Sequence, residues 1–450
     1  MRKVLFFLCL VGLSACSLLD KEPQIQVSDE KAITDVQSAN AALIGLYNQV
    51  QELYNGRIQR LADVAGTTAQ SIGTNLAYRQ IDTYSVTSNN SALLDIWTII
   101  YKGVNIANNI LTTVPEIQSS NEERNLLLGQ AYFVRGLLFF EAVRIWGGVP
   151  NVAGTNGIPL PKEPSRSVSF QERASLEASY AQVEADLLEA SKLLTDNSPT
   201  GQANKITANA LLSRLYLYLK RYSEVERFAN AVIGNPRNAL VFPLTDVFNN
   251  KNTPESIFEI QFNSIDPSDI SFFYSPKSIG GNGEIAAHTE FYNQIDRNDE
   301  RSRLFVRSND TGLWFSTKYN RQANPNNTHV IRLAEIYLNR AEARAYSNNF
   351  SGARADLNAV RARANAIADN TANSIEQLIV AIEKERRLEL CFEGFEWFDL
   401  VRTGRAISVL NTVARFNAEP ARLIDRNRLV FPIPFEEINA NPKMNQNQGY

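Results

Sequence analysis

At 450 residues with 44% hydrophobic side chains, the chain has material for one large domain or two ordinary ones. A formal net charge of −3, from 45 Lys and Arg against 48 Asp and Glu, leaves no basic footprint for nucleic acid. Two histidines, His288 and His329, and three cysteines supply neither a histidine-based metal site nor a disulfide framework, so carboxylate-based hydrolysis is the enzyme chemistry still open.

The amino terminus opens with Arg2 and Lys3, followed by an apolar run from Val4 to Leu13. That run is far shorter than the ~20 residues of a spanning helix and reads as a secretory leader, residues 1–15. It closes in Leu13-Ser14-Ala15-Cys16, which resembles a bacterial lipobox; the resemblance implies cleavage before Cys16 and lipid attachment to it. Several acyl chains, at roughly 0.8 kcal/mol per buried CH₂, hold where a single one does not. Residues 16–27 are polar and contain Pro23, as a lipidated flexible tether would, and Asp20 and Glu22 resemble an acidic surface-export signal.

Beyond the tether, Ile33, Val36, Ala39, Leu43, Leu46, Tyr47, Val50 and Tyr54 recur at spacings of three and four, predicting a helix over 28–54. A polar insert over 60–90 precedes helices over 91–114 and 121–146. The second of these starts at the capping box Ser120-x-x-Glu123 and stops at Gly147-Gly148 with Pro150 beyond. A helix over 170–195 is expected from Ser169-x-x-Glu172, and further helices over 205–233, 330–365 and 375–411, the last opened by Ser374-x-x-Gln377. Tyr218 to Val225 aligns with Tyr346 to Ala353, each a helix, a short turn ending in an aromatic and a second helix. This is the tetratricopeptide plan, which stacks helix pairs on a shared core. Between 236 and 328 the helical signal gives way to Asn, Ser, Gly and Pro, including Gly280-Gly281-Asn282-Gly283, with strand candidates at Ile257–Phe262 and Leu313–Tyr319. So long an irregular stretch points to a ligand-binding role.

Several motifs follow in a fixed order. Trp97-x-x-x-Tyr101-x-x-x-Asn105-x-x-Asn108 comes first, then the run Gln130 to Phe140 ending in Trp146-Gly147-Gly148-Val149-Pro150. Glu255 to Ile260, Ile331 to Leu338 and Ala341-Glu342-Ala343 come next, then Glu383 to Gly394 and Trp397 to Arg402. Phe431-Pro432-Ile433-Pro434, Glu437, Ile438, Asn441, Pro442 and the stretch Gln446 to Tyr450 complete the series. Together these segments resemble the SusD/RagB family over the whole mature chain, with Gln448 where the family commonly has proline. The resemblance implies an all-α, mainly helical fold: tetratricopeptide-like helix pairs forming a SusD-like scaffold with an irregular, short-stranded loop insert. One domain over 28–450 is expected, with a helical part over 28–235, the insert over 236–328 and a second helical part over 329–450.

The resemblance also implies a non-catalytic lipoprotein anchored in the outer membrane and facing the cell surface. Such a protein captures oligosaccharides or peptides and delivers them to a SusC-like TonB-dependent β-barrel, with no cofactor. A surface adaptor built on the repeats and a surface glycoside hydrolase are the rival readings. The hydrolase would need two carboxylates such as Glu389 and Glu393, but four-residue spacing points both the same way, as in an ion-pair network. The family supplies no fixed ligand motif, so candidates are positional: Tyr78, Arg79, Tyr84, Asn89 and Asn90 in the first insert, and Phe273, Tyr274, His288 and Tyr292 in the second. Aromatic faces with amide and guanidinium partners suit sugar rings and hydroxyls. Glycan, peptide and glycoconjugate all remain open as ligands.

Overall fold

The computed structural model describes residues 32–165, 170–319, 326–415 and 424–450; Cys16, the tether and Ser169 lie outside them. The first helix, α1 (Val36–Tyr54), starts later than its periodicity suggests because Asp35 caps it. The Asp35 carboxylate accepts from the Ser38 N–H at 2.8 Å, and the Ser38 hydroxyl accepts from the Asp35 N–H at 3.0 Å. The stretch read as a first loop insert is instead largely ordered, as α2 (Arg57–Ala65), β1 (Ala69–Ser71) and α3 (Leu76–Asp82). Then come α4 (Ser91–Thr113) and α5 (Asn121–Ala142), the latter with both halves of the Ser120–Glu123 capping box in place at 3.2 and 3.0 Å. A π turn, Val143–Gly147, carries α5 to Gly148, whose φ of +101° and a would-be Cβ only 2.1 Å from the Ala153 oxygen require glycine. The segment Asn121–Gly147 is apolar and long enough to cross a membrane, yet 83% of its apolar window is buried in the protein, so it is the central core helix.

A two-stranded ladder of β2 (Asn156–Pro159) and β3 (Arg173–Ser175) leads into α6 (Leu176–Leu193). The helix expected from residue 170 therefore starts at Leu176: residues 173–175 pair as a strand, and the cap is Ser175, accepting from the Ala178 N–H at 3.1 Å. The helical stretch over 205–233 is two helices, α7 (Lys205–Tyr218) and α8 (Tyr222–Ile233), with the turn where the repeat places it and Lys220 at a φ of +56°. The insert carries α9 (Thr245–Asn249), β4 (Ser256–Ile260), α10 (Ile270–Tyr274), β5 (Ile285–Ala287), α11 (Thr289–Tyr292), β6 (Phe305–Arg307) and β7 (Trp314–Ser316). Strand β8 (Thr328–Arg332) pairs antiparallel with β4 and runs directly into α12 (Leu333–Tyr346). The remaining helices are α13 (Phe350–Arg363), α14 (Ile375–Glu389), α15 (Glu396–Arg402), α16 (Ala406–Leu410) and α17 (Phe435–Ala440). The pattern over 330–365 divides into β8, α12 and α13, with the α12–α13 turn where the repeat places it and a strand at its start, and the segment over 375–411 divides into α14, α15 and α16.

Helices α4, α5, α6, α7, α8 and α12 form a continuous row, each packed on the next, and α13 and α14 both pack on α12. The repeat seen in the sequence is present in the backbone. Lys220 and Asn348 both have left-handed φ, +56° and +61°. The next N–H in each case reaches back five residues, Arg221 to the Tyr216 oxygen at 3.0 Å and Asn349 to the Arg344 oxygen at 2.8 Å. The two turns meet through Tyr222 and Tyr346, stacked at 4.5 Å. Fully buried Phe133, Phe139, Phe140 and Trp146 give α5 its place at the centre, each aromatic worth roughly 2–3 kcal/mol of transfer free energy.

The ordered motifs are architecture. Arg135 makes a bidentate pair with Asp186 at 2.8 and 2.6 Å and a 2.8 Å bond to the Asn108 carbonyl, tying α4, α5 and α6 together. Trp146 donates to the Pro432 oxygen at 3.0 Å, and Asn447 donates to the oxygens of Trp146 and Phe431 at 2.8 and 2.7 Å. The Gln446 amide brackets buried Ile433, accepting from its N–H and donating to its oxygen, both at 2.8 Å.

Candidate functional site

The two inserts are one structure. β1 pairs antiparallel with β5 in the register Ala69–Ala287, Gln70–Ala286 and Ser71–Ile285, and β5 also packs against β7. Side chains reinforce the junction: the buried Arg60 guanidinium lies 4.2 Å from the Tyr78 ring centroid and 3.5 Å from that of Phe273. A desolvated cation between two rings is worth about 2 kcal/mol.

Most of the sequence-predicted ligand residues are consumed by this junction. Tyr78 is buried against Arg60. Tyr84 donates to the Ala65 oxygen at 3.1 Å from beneath Arg415. Asn90 is the cap of α4, accepting from the Leu93 N–H at 3.2 Å and donating to the Ala77 oxygen at 3.0 Å. Tyr274 is fully buried and donates to Asp63 at 2.7 Å. His288 is buried too, and that burial holds its pKa below the usual histidine value. These five are packing residues; a ligand reaching them would have to open the core. Arg79 and Asn89 are exposed, and Phe273 and Tyr292 are half-buried.

Tyr292 has a partner that the sequence reading placed in a strand but not in the site. β6 and β7 form a hairpin in which Ser308 donates to the Leu313 oxygen at 2.8 Å and Gly312 turns at φ +71°. The hairpin sets Trp314 opposite Arg307, and the Trp314 ring stacks on Tyr292 at 3.8 Å with an interplanar angle of 18°. Phe305 supports Tyr292 from below at 5.5 Å and itself rests on Phe392 at 5.7 Å. A column of rings therefore rises from the core and ends in two half-exposed aromatic side chains. The turn signal Ser308-Asn309-Asp310-Thr311-Gly312 between two apolar runs was the clue that could have located Trp314.

The carboxylates of the hydrolase reading sit elsewhere. Arg332 donates to Glu393 at 2.6 Å, to Glu389 at 3.0 Å and to Glu255 at 2.6 Å, while Lys318 donates to Glu393 at 2.6 Å and Arg363 binds both Glu255 and Glu389. All of these groups are buried. Burial pushes the Glu389 carboxyl up, but Arg363 and Arg332 outweigh it and hold it at about 2; Glu393 is likewise lowered, its burial outweighed by Arg332 and Lys318. A general acid needs the opposite shift and an open path to substrate. The network clamps β8 and α13 to the end of α14.

Sequence and fold comparisons agree with this architecture. A family model described as "Starch-binding associating with outer membrane" matches residues 17–217, and one described as "SusD family" matches residues 314–450. A SusD-like protein of Formosa agariphila is 24% identical over 522 residues, covering 99% of this chain and 98% of that protein. A SusD-like protein of Bacteroides ovatus is 24% identical over 451 residues, covering 86% of this chain and 80% of its own. Among solved structures, a SusD superfamily protein from Bacteroides thetaiotaomicron superposes with a TM-score of 0.81 at 26% identity, covering 92% of this chain and 100% of that one. A structure described as a laminarin-binding SusD-like protein gives a TM-score of 0.78 at 24% identity, covering 93% and 100%. Matched by these two family models over residues 17–217 and 314–450, and by SusD-like proteins along nearly its whole length, the chain belongs to the SusD family.

Proposed function

We propose that this protein is a surface nutrient-binding lipoprotein that holds an oligosaccharide on the Tyr292–Trp314 platform and alters none of its bonds. The observation that carries the reading is the ring column itself: two stacked, half-exposed aromatics fixed by a core beneath them. A rigid aromatic face loses little entropy when the C–H face of a sugar lies on it. Exposed Arg307, opposite Trp314 in the hairpin, is the polar side chain proposed to meet hydroxyls on the platform, and exposed Arg79 and Asn89 with half-buried Phe273 are proposed as further ligand contacts. The family's description as starch-binding favours carbohydrate over peptide.

The test is isothermal titration of the purified protein with starch, laminarin, xylan and pectin oligosaccharides. Trp314→Ala should weaken the best ligand about five- to thirtyfold with an unchanged thermal melt, since aromatic stacking contributes on the order of 1–2 kcal/mol. Binding that is indifferent to both Trp314→Ala and Tyr292→Ala would remove the platform, and shortening of the oligosaccharide over hours would restore the hydrolase.

A soluble domain has no means of moving a polar oligomer through lipid, so transport requires a second protein. We assign that role to a SusC-like TonB-dependent barrel, with Cys16 as the lipidated anchor keeping this chain beside it. Mass spectrometry of the amino terminus and co-purification in mild detergent are the measurements. An unmodified Cys16 on a protein free of the membrane would refute the anchor, and recovery without any barrel at native expression would refute the partner.

A further inference from the structure

The platform rings come from distant segments, Tyr292 at the end of α11 and Trp314 at the start of β7, yet both trace back to one short turn, residues 389–394, between α14 and α15. The first arm is the ring of Phe392, which has no exposure to solvent and lies 5.7 Å from Phe305, the ring beneath Tyr292. The second arm is Lys318, just beyond Trp314 along the chain. Its buried ammonium has three N–H donors and directs all of them to this turn: to the Glu389 and Cys391 oxygens, each at 2.8 Å, and to the Glu393 carboxylate at 2.6 Å. Between Trp314 and Lys318 the strand stays in register, with Ser316 opposite Phe305 and the Thr317 N–H on the Leu304 oxygen at 2.8 Å. The turn itself is strained. Phe392 takes a φ of +62°, a left-handed conformation that bulky L residues rarely adopt, whereas Gly394 takes +84° with a residue suited to it. Such strain persists where the surroundings over-determine it. Here Gly394 donates to Asp63 at 3.0 Å, and Arg332 holds Glu393 and Glu389 at 2.6 and 3.0 Å. Glycine at 392 would relieve the strain and leave Phe305 without its support, so what the strained position supplies is the ring.

We infer that Phe392 and Lys318 are positioning residues for the ligand platform: the α14–α15 turn fixes Tyr292 through Phe305 and Trp314 through β7, and so sets the tilt and spacing of the two rings before a ligand arrives. A face made of two side chains receives a sugar ring only where both lie nearly in one plane, and holding them there beforehand removes an ordering cost from binding. The 3.8 Å separation and 18° tilt of the pair have both supports on the same turn. Movement of the turn therefore carries both rings together, whereas loss of either arm shifts one ring against the other. A purely structural role would account for the Phe392 contact with Tyr274 at 5.6 Å, and it predicts lost stability with binding unchanged. Positioning predicts that binding changes too.

This assignment rests on the platform as the binding face, and the experiment tells the two apart. The probes are the starch, laminarin, xylan and pectin oligosaccharides, titrated calorimetrically against the purified protein, with near-ultraviolet circular dichroism as a readout that needs no ligand. The difference spectrum between the wild type and Trp314→Ala isolates the indole stacked on Tyr292. In Phe392→Leu and in Lys318→Met that band should fall by about half or more, and affinity for the best probe by about threefold or more. Gln446→Leu, which acts at Ile433 in the closing segment, should leave both readouts as in the wild type. Phe392→Leu nearly conserves volume, so it carries the test if Lys318→Met fails to fold. A wild-type band and wild-type affinity in Phe392→Leu overturn the inference, as do equal losses in Gln446→Leu, which mark general loosening. If Trp314→Ala binds every probe as the wild type does, the platform reading fails, and the dichroism band alone then decides whether the turn positions the rings.

Discussion

Asp63 sits on α2 with no exposure to solvent, accepting from the Tyr274 hydroxyl at 2.7 Å and from the Gly394 N–H at 3.0 Å. Burial raises its carboxyl from 3.8 to about 8, against the smaller lowering by those two donors. At pH 7 the folded protein thus keeps a proton that the unfolded chain releases near pH 4. With the folded pKa raised, this group's contribution is complete below about pH 4, declines as pH climbs and is lost by about pH 8. At roughly 1.4 kcal/mol per pH unit, the loss at pH 7 is on the order of 4 kcal/mol relative to acid. Asp63→Asn keeps the shape and the acceptor for Gly394, and its amide donates to the Tyr274 oxygen, reversing that one bond. The variant should match the wild type near pH 4 and exceed it by about 5–6 kcal/mol at pH 8. Urea melts at pH 4.5, 6, 7 and 8.5 measure the difference. A difference that is flat with pH, or that shrinks as pH rises, would refute the raised pKa and with it the desolvation of this corner.

Three further substitutions follow from geometry. Arg332→Met removes one of the three cations that hold buried Glu393, Glu389 and Glu255, leaving Lys318 and Arg363 against three carboxylates, and should cost about 3–5 kcal/mol in urea unfolding. Lys220→Asn places a residue tolerant of left-handed backbone where φ is +56°, and should raise stability by about 0.5–1 kcal/mol in thermal melts. Gln446→Leu leaves the N–H and oxygen of buried Ile433 without their partner and should cost about 1–3 kcal/mol, read by the same denaturant titration.

What was legible in the sequence was local. The Ser120–Glu123 box works over three residues, and both of its bonds formed as read. The break at Lys220 was legible only through the repeat: lysine carries no turn signal, whereas Asn348 at the matching position does. Serine at 169 and serine at 175 look alike as caps, and only the pairing of β3 with β2 shows that 175 is used. The site was harder because its residues come from distant segments. Tyr84, Tyr274 and His288 lie in a stretch whose composition reads as open loop. Whether an aromatic faces solvent there depends on the β1–β5 and β6–β7 pairings, which local pattern does not fix. Trp314 was visible only as a strand residue, since nothing local shows that its ring meets Tyr292.

The three-residue ladder between β1 and β5 has a consequence for how binding preference changes over time. Its bonds are between backbones, and its facing side chains include Ala69, Ala286 and Ala287, small groups that add little pairing preference of their own. Such a seam tolerates extensive rewriting of the residues on either side of it without loss of register. The helical row need not change when the ligand does. A chimera exchanging residues 57–90 alone would bring a foreign β1 to a native β5, and one exchanging both inserts would carry the seam intact; the second is the unit on which new specificity is transplanted.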